Sequence, residues 1–480
     1  MNILFATSEA FPLIKTGGLG DVSYSLPRAL QEMGHQVALI LPGYRSVKHK
    51  LGRPDRRYAL ADEFLRDDVL LSYYGHSALG LPLYLVESDS LYDRDGGPYE
   101  SGPGEGWYDN GDRFAQYCRA VVCLLKGGAA EIPQRFDVVH CNDWQTGLIP
   151  AFLQRLALPV RSVFTIHNLA YQGLFDRGTF DYLKLPDEWW HLDSLEFYGN
   201  FSFLKAGIVY ADWVTTVSPT YAREIMHEPL ACGMGGLLQH HRHKVVGILN
   251  GVDYDAWNPA TDPYIRFHYD QHSLQEKINN KLEIQRNTGL RLSKSTPLIG
   301  LVSRLVEQKG LDWIVSAMEA TLGEKVQWVV LGAGTQQYER QLQALAQANS
   351  KVISVTIGYD ESLAHGIEAG CDLFAMPSRY EPCGLNQIYS LRYGSLPIVR
   401  RTGGLADTVI DASEDALEQG SATGFCFEEP SARAFTETVR RAIALYRKQK
   451  TWRKLQQQAM DQRFDWQHSA QAYLELYEQE

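Results

Sequence analysis

NILFATSEAFPLIKTGGLGDVSYSLPRALQEMGHQVALILP, residues 2–42, reads as strand, glycine-rich turn, helix and strand in succession. The apolar run NILFAT and the run QVALILP have strand character, and the segment between them carries helical spacing behind the turn KTGGLGDV. That order is a parallel crossover unit, the seed of a doubly wound α/β sheet. The turn is not the dinucleotide fingerprint. Gly18 and Gly20 supply its first two glycines, but Ser23 holds the third place, and the following strand ends in Pro42 and Gly43 rather than an acid. It is not a P-loop either, because Lys15 precedes the glycines instead of following them. Two readings of Lys15 remain at this point. Either the glycines only make a tight turn and the lysine is solvated, or its ammonium, beside backbone donors, marks where negative charge is held or develops.

The same alternation continues along the chain. In the first half, strands are expected at VVH (138–140), SVFTIH (162–167) and WVTTVS (213–218), with a helix opening at Ser218 and Pro219. In the second half LIGLVS, VQWVVLG, ISVTIG, DLFAMPS and LPIVR repeat the pattern, so two doubly wound sheets follow. Residues 249–297 suit a crossing between the domains, and residues 92–113, rich in glycine, tyrosine and acids, read as a long functional loop. TGGLGD (16–21) returns as TGGLAD (402–407), each just after a strand.

At 480 residues the chain exceeds what one core usually supports. With 45% hydrophobic and 21% charged residues it has an ordinary globular composition. A net charge of −11 argues against an extended nucleic-acid or anionic-membrane surface and suits an uncharged polymer substrate. The seven cysteines form no CxxC pair, which points to a reducing compartment. MNILFATSEAFPL has no basic leader and no run of about 18 apolar residues occurs, so the expectation is a cytoplasmic protein without a membrane partner.

Four further stretches carry chemistry. LVSRLVEQKGLDW (301–313) puts Arg304 just past a strand and Lys309 just before a helix, where a fork and a point charge can share one pair of phosphates unless the loop is merely solvated. Asp312 reads as first-turn helix chemistry. In SRYEPCGLNQIYSLRYG (378–394), Glu381 is either a surface glutamate in a turn or faces the donors of Cys383 and Gly384 at a helix start, where its oxygens can accept sugar hydroxyls. HCNDWQTG (140–147) and FTIHNLAYQG (164–173) offer Asp143, Trp144, His167 and Asn168 at strand ends, where open α/β sheets bind ligands. QHHRHK (239–244) lacks nearby acids or cysteines and reads as a solvated face rather than a metal site.

Taken in order, KTGGLGDV, HCNDWQTGLIP, FTIHNLAYQG, VSPTYAREI, ILNGVD, SRLVEQKGLD, SRYEPCGLNQ and RRTGGLADTV resemble the bacterial glycogen synthase and plant starch synthase family over essentially the whole chain. The resemblance implies a GT-B fold, two Rossmann-like domains facing a cleft. Their expected spans are 1–248 on the acceptor side and 249–460 on the nucleotide-sugar side, with 461–480, including DWQHSAQAYLELY, as a helix returning to the first. It also implies transfer of glucose from ADP-glucose to the 4-hydroxyl at the non-reducing end of an α-1,4-glucan, with retention and without a metal or other cofactor.

Carried over residue by residue, Lys15 with Gly17, Gly18 and Asp21 lies beside the diphosphate and glucose, and Arg304 and Lys309 bind the diphosphate. Glu381 with Cys383, Gly384 and Leu385 holds the glucose, next to Thr402 and Gly403. Asp143, Trp144, His167, Asn168 and Asn250 line the glucose site from the other domain, and Tyr359 is placed to stack on adenine. Asn386 stands where several bacterial members have threonine, and CGMGG (232–236) departs from commoner forms of that loop, which leaves the phosphate-side and acceptor contacts open. A related retaining transferase with another donor or acceptor, a glucan-binding protein on the same fold, and a hydrolase or phosphorylase are the competing classes.

Overall fold

The computed structural model describes residues 1–60, 62–75, 77–102, 104–127 and 135–479. The chain divides into two compact units, Met1–Gly251 with Trp466–Glu480, and Val252–Asp465.

The first unit is built on a nine-stranded sheet, counted among the described residues. Its order is Val245–Gly247, Trp213–Thr216, Arg161–Ile166, Val138–Asn142, Asn2–Ala6, Gln36–Pro42, Leu83–Glu87, Leu70–Tyr74, Arg56–Ala59. The first seven strands run parallel, with Ile3 opposite both Val37 and Val138. The last two are antiparallel additions that the sequence reading did not foresee. Because the central strands are covered on both faces, they are apolar without alternation, and Ile3, Leu4, Phe5 and Ala6 are all fully buried. The expected helix at Ser218 is present as Pro219–Glu224, with Ser218 Oγ accepting from the N–H of Tyr221 at 2.9 Å.

The helix Trp466–Glu478 belongs to this first unit. Its Ala470, Tyr473, Leu474 and Tyr477 join the sheet's core. Burying a side chain such as Leu474 contributes about 1.5–3 kcal/mol relative to exposure. Polar contacts fix its register: Tyr477 OH bonds His140 Nδ1 at 2.6 Å, Arg161 Nη1 donates to Tyr477 O at 2.9 Å, and Ser469 Oγ donates to Leu249 O at 2.6 Å.

The second unit carries a six-stranded, all-parallel sheet in the order Ile353–Ile357, Gln327–Gly332, Leu298–Val302, Leu373–Met376, Leu396–Arg400, Phe425–Phe427. The five strands expected in this half are all present, and the short Phe425–Phe427 is added at the edge. Residues 92–113 are more ordered than a loop. They hold the short strands Glu100–Gly102 and Glu105–Gly106 and enter the helix Asn110–Leu125, whose buried Arg113 donates to the carbonyls of Leu91 and Pro98. Among the described residues no helix is long and apolar enough to cross a membrane.

Candidate active site

In both units the residues singled out gather at the carboxyl ends of the parallel strands, where the chain leaves the sheet and backbone groups lose their ladder partners. In the first unit, Asn2–Ala6 runs into Thr7, Ser8 and Glu9. Glu9 is buried and holds the glycine turn: Thr16 Oγ1 donates to Oε1 at 2.6 Å and Thr16 N–H donates to Oε2. Tyr99 OH donates to the same Oε1 at 2.6 Å, so the segment read as a functional loop braces this carboxylate. Sequence reasoning missed Glu9. The signal was an acid three residues past the apolar strand end Ile3–Ala6, where only a partner brought from elsewhere in the fold makes burial tolerable.

Lys15 is exposed, and its ammonium bonds Asp21 at 2.8 Å, across the first turn of the helix Gly18–Glu32. Gly17, at the N-cap of that helix, has open space where a side chain would begin, so a ligand can approach its backbone.

Asp143 follows the strand Val138–Asn142 in a strained conformation, φ 57° and ψ −178°, which costs a non-glycine residue of order 1–3 kcal/mol. It is locked there because its N–H donates to Thr165 O at 2.9 Å and its Oδ1 accepts from the N–H of His167 at 2.7 Å. Burial pushes its carboxyl up to about 7 despite the N–H groups of His167 and Asn168. The neighbouring imidazole moves the other way. Burial holds His167 down to about 3, so it is neutral at pH 7. Asn142 Nδ2 donates to Ala6 O at 3.0 Å, which turns Asn142 Oδ1 toward His167 Nε2 at 2.9 Å. The pattern assigns the proton to Nε2 and leaves Nδ1 as an acceptor. Asn168 Oδ1 closes its own turn onto the N–H of Ala170 at 3.1 Å. Trp144 is half-buried, with its ring packed against Phe114, Phe175 and Phe203. Asn250 is buried and its Oδ1 has no partner among the described residues, an acceptor left open for a ligand.

In the second unit, Arg304 follows the strand Leu298–Val302 and is exposed, with no carboxylate partner among the described residues. Lys309 is mostly buried, and its ammonium lies 2.5 Å from Glu381 Oε2. The same oxygen accepts from Ser378 Oγ at 2.9 Å. Glu381 is therefore committed through Oε2, while Oε1 accepts no hydrogen bond among the described residues. Gly310 sits between the lysine and the helix Leu311–Thr321 in a left-handed conformation, and a Cβ there would come within 2.3 Å of Pro377 O. Asp312 lies in the first turn of that helix and pairs with Arg379 at 2.7 Å.

The two TGG turns are not equivalent. Gly403, with φ 46°, would place a Cβ 1.8 Å from Glu381 O, and Gly404 would place one 2.1 Å from Cys383 O. The second turn, capped by the buried Thr402, is thus packed directly on the loop 381–384 and fixes Glu381 through Gly404 N–H to Glu381 O at 3.1 Å. Gly384, φ 72°, turns the chain through Leu385 into the helix Asn386–Arg392, and Cys383 is buried. Asn386 Nδ2 donates to Val302 O at 2.7 Å, so this side chain braces the strand that leads to Arg304. Tyr359 stands just past the strand Ile353–Ile357, 75% exposed.

No three His, Cys, Asp or Glu side chains converge as a metal site among the described residues. His241, in the QHHRHK segment, is held down to about 4 by burial and Lys244.

Residues 2–240 match the family described as the starch synthase catalytic domain, and residues 285–459 match glycosyl transferases group 1. The chain is 49% identical to glycogen synthase 2 of Nitrosococcus oceani over 100% of its own length and 97% of the relative's. It is 46% identical to a glycogen synthase of Cellvibrio japonicus, covering 99% and 98% of the two chains. Among solved structures it is similar to the catalytic domain of starch synthase IV from Arabidopsis thaliana, with a TM-score of 0.87 and 33% identity over 99% of this chain and 98% of that one. Sucrose-phosphate synthase from Thermosynechococcus elongatus, at TM-score 0.59 and 16% identity over 99% and 98%, shares the fold. The chain has the GT-B glycosyltransferase fold, and it belongs to the glycogen synthase and starch synthase family.

Proposed function

We propose that the chain transfers glucose from ADP-glucose to the 4-hydroxyl at the non-reducing end of an α-1,4-glucan, with retention, releasing ADP. Full-length similarity to glycogen synthases supports the activity, and the starch synthase IV structure is one bound to ADP and acarbose. The observation that carries the chemistry is the Lys309–Glu381 pair beside the uncommitted Arg304. One side of this rim offers positive charge to a diphosphate. The other offers Glu381 Oε1 to sugar hydroxyls.

When the bond between glucose C1 and the phosphate oxygen breaks, negative charge grows on the departing diphosphate. Arg304 forks onto it, and Lys309 can turn its remaining N–H donors toward it without leaving Glu381. Lys15 is proposed to do the same, keeping Asp21 as its counter-ion. The acceptor 4-hydroxyl attacks C1 on the face the diphosphate leaves, and its proton passes to a phosphate oxygen, which balances the exchange and gives retention. Asn250 Oδ1 and His167 Nδ1 accept hydroxyl protons of the glucose, and Asp143 holds His167 in register.

Two of the three cations carry a carboxylate partner, so their formal charge is compensated; their donor N–H groups, not net charge, stand in for a metal. We place the activity in the cytoplasm, with a neutral polymer acceptor matched to the acidic chain. The test is ADP release from ADP-glucose by purified protein with and without glycogen. Release that requires glycogen supports transfer. Release at the same rate without it would make the chain a hydrolase, and none in either case would leave a binding protein.

A further inference from the structure

The hairpin formed by Glu196–Phe197 and Asn200–Ser202 is closed by the two residues Tyr198 and Gly199, with φ 50° and 81°. A two-residue turn with both φ positive is the type that asparagine and glycine favour. A tyrosine at its first position is disfavoured, because a bulky side chain clashes with the backbone in the left-handed region. Folding recovers little for this choice. Tyr198 is 80% exposed, its hydroxyl has no hydrogen bond among the described residues, and its ring meets Phe197 edge-on at 4.7 Å. The sequence holds an aromatic ring in solvent on a strained backbone, a combination found where a ligand supplies the missing contact.

The hairpin is tied to the rim that carries Asp143 and His167. Ser202 Oγ donates to Gln172 O at 2.8 Å, Phe203 N–H donates to Gly173 O at 3.1 Å, and Phe203 packs on Trp144. The tip also rests against the divergent CGMGG loop. Gly233, φ 84°, would place a Cβ 3.2 Å from the rings of Phe197 and Tyr198, and Gln172 Nε2 donates to Cys232 O at 2.9 Å. Of the five non-glycine residues with positive φ among the described residues, Asp143, Tyr198 and Cys232 belong to this one rim.

We infer that Tyr198 is an acceptor-binding residue whose ring stacks on a glucose unit of the incoming α-glucan; this rests on the transfer activity proposed above. A pyranose presents an apolar C–H face that fits an open aromatic ring. With the buried Lys205 ammonium committed to the carbonyls of Glu196 and Leu192, the charges left at the tip are acids: Glu196 accepts from the N–H of Gly199 and Glu228 from the N–H of Gly233, both at 2.8 Å. That surrounding disfavours an anionic ligand and suits a neutral sugar.

Tyr198→Asn is the decisive variant, since asparagine suits the turn and removes the ring. Unfolding temperature, ADP affinity by calorimetry, maltoheptaose binding by calorimetry, and KM and kcat for maltoheptaose are measured for wild type, Tyr198→Asn and Tyr198→Trp. Tyr198→Asn is expected to melt at or above the wild-type temperature and to bind ADP unchanged. Its KM and Kd for maltoheptaose should rise roughly three- to tenfold, the range one aromatic contact supplies, with kcat kept. Tyr198→Trp should return both to within about twofold of wild type. Maltoheptaose binding and KM unchanged in Tyr198→Asn would overturn the inference, as would a lower melting temperature with a uniform loss of activity, which marks a packing role. If wild type releases no ADP with maltoheptaose, the transfer reading fails instead, and the direct binding comparison still decides the role of Tyr198.

Discussion

Replacing Glu381 by glutamine separates its two tasks, because the structure gives one oxygen to Lys309 and leaves the other open. Oε2 takes the ammonium at 2.5 Å and Ser378 Oγ at 2.9 Å, in a setting where the two side chains are only 17% and 8% exposed. Glutamine keeps the shape and an acceptor oxygen but removes the charge. A charge-assisted hydrogen bond is worth about 1.5–3 kcal/mol, and a neutral acceptor recovers part of it, so Glu381→Gln should destabilise the fold by about 1–2 kcal/mol. The sign for nucleotide binding is opposite. With the competing carboxylate gone, Lys309 gives more of its charge to the diphosphate, and ADP affinity should stay level or rise by up to about tenfold. Turnover should fall about 10²- to 10³-fold, the loss seen when one group aimed at the reacting centre is removed. Calorimetric ADP titration, initial rates with ADP-glucose and glycogen, and thermal unfolding supply the three readouts. Activity within threefold of wild type with an unchanged unfolding profile would refute the role given to Glu381. A tenfold weaker ADP affinity would refute the competition argument.

Under the proposed role of Arg304, Lys309 and Lys15 as the donors at the diphosphate, dialysis against EDTA should leave the transfer rate unchanged; a loss restored by magnesium or manganese would overturn that role. Acid should destabilise the fold through His140, which is fully buried between Tyr477 and Thr165 and held down to about 3. A histidine depressed in the fold favours the folded state fully above its unfolded value of 6.5, and that contribution is lost as pH falls from 6.5 toward 3. Near pH 4.5, two units down, the loss is roughly 2–3 kcal/mol. Urea unfolding near pH 7 and near pH 4.5 should show a smaller pH effect in His140→Gln than in wild type; equal effects would contradict the assignment.

The parallel core was readable because buried central strands are apolar throughout and their turns carry glycine and proline punctuation; Ser218 and Pro219 marked a helix start that the structure reproduces. The antiparallel strands Leu70–Tyr74 and Arg56–Ala59, at and next to the sheet's edge, were not readable, since they mix tyrosine, serine and arginine without clear alternation. At the site, residue types and strand ends placed the candidates on the right rims, but not their pairings. Lys309 and Glu381 are 72 positions apart, and nothing local announces that one neutralises the other. Likewise the two TGG turns look alike as strings, yet Gly403 and Gly404 are required by carbonyls 1.8 and 2.1 Å from a Cβ, whereas Gly17 faces open space. Close approach is a property of the fold, which is why an internal echo in sequence did not mean a shared role.

The central proposal is that Arg304 holds the donor diphosphate in the ground state, whereas Lys15 acts only on the charge that departs. Calorimetric ADP affinity and kcat for Lys15→Gln and Arg304→Ala, at one ionic strength, test it most directly. Arg304→Ala should weaken ADP binding together with turnover. Lys15→Gln should lower kcat by roughly 10²- to 10³-fold with ADP affinity little changed, as expected for a donor used only in the transition state. If Lys15→Gln weakened ADP binding as much as Arg304→Ala while kcat held, Lys15 would be a ground-state phosphate ligand and the account would be contradicted.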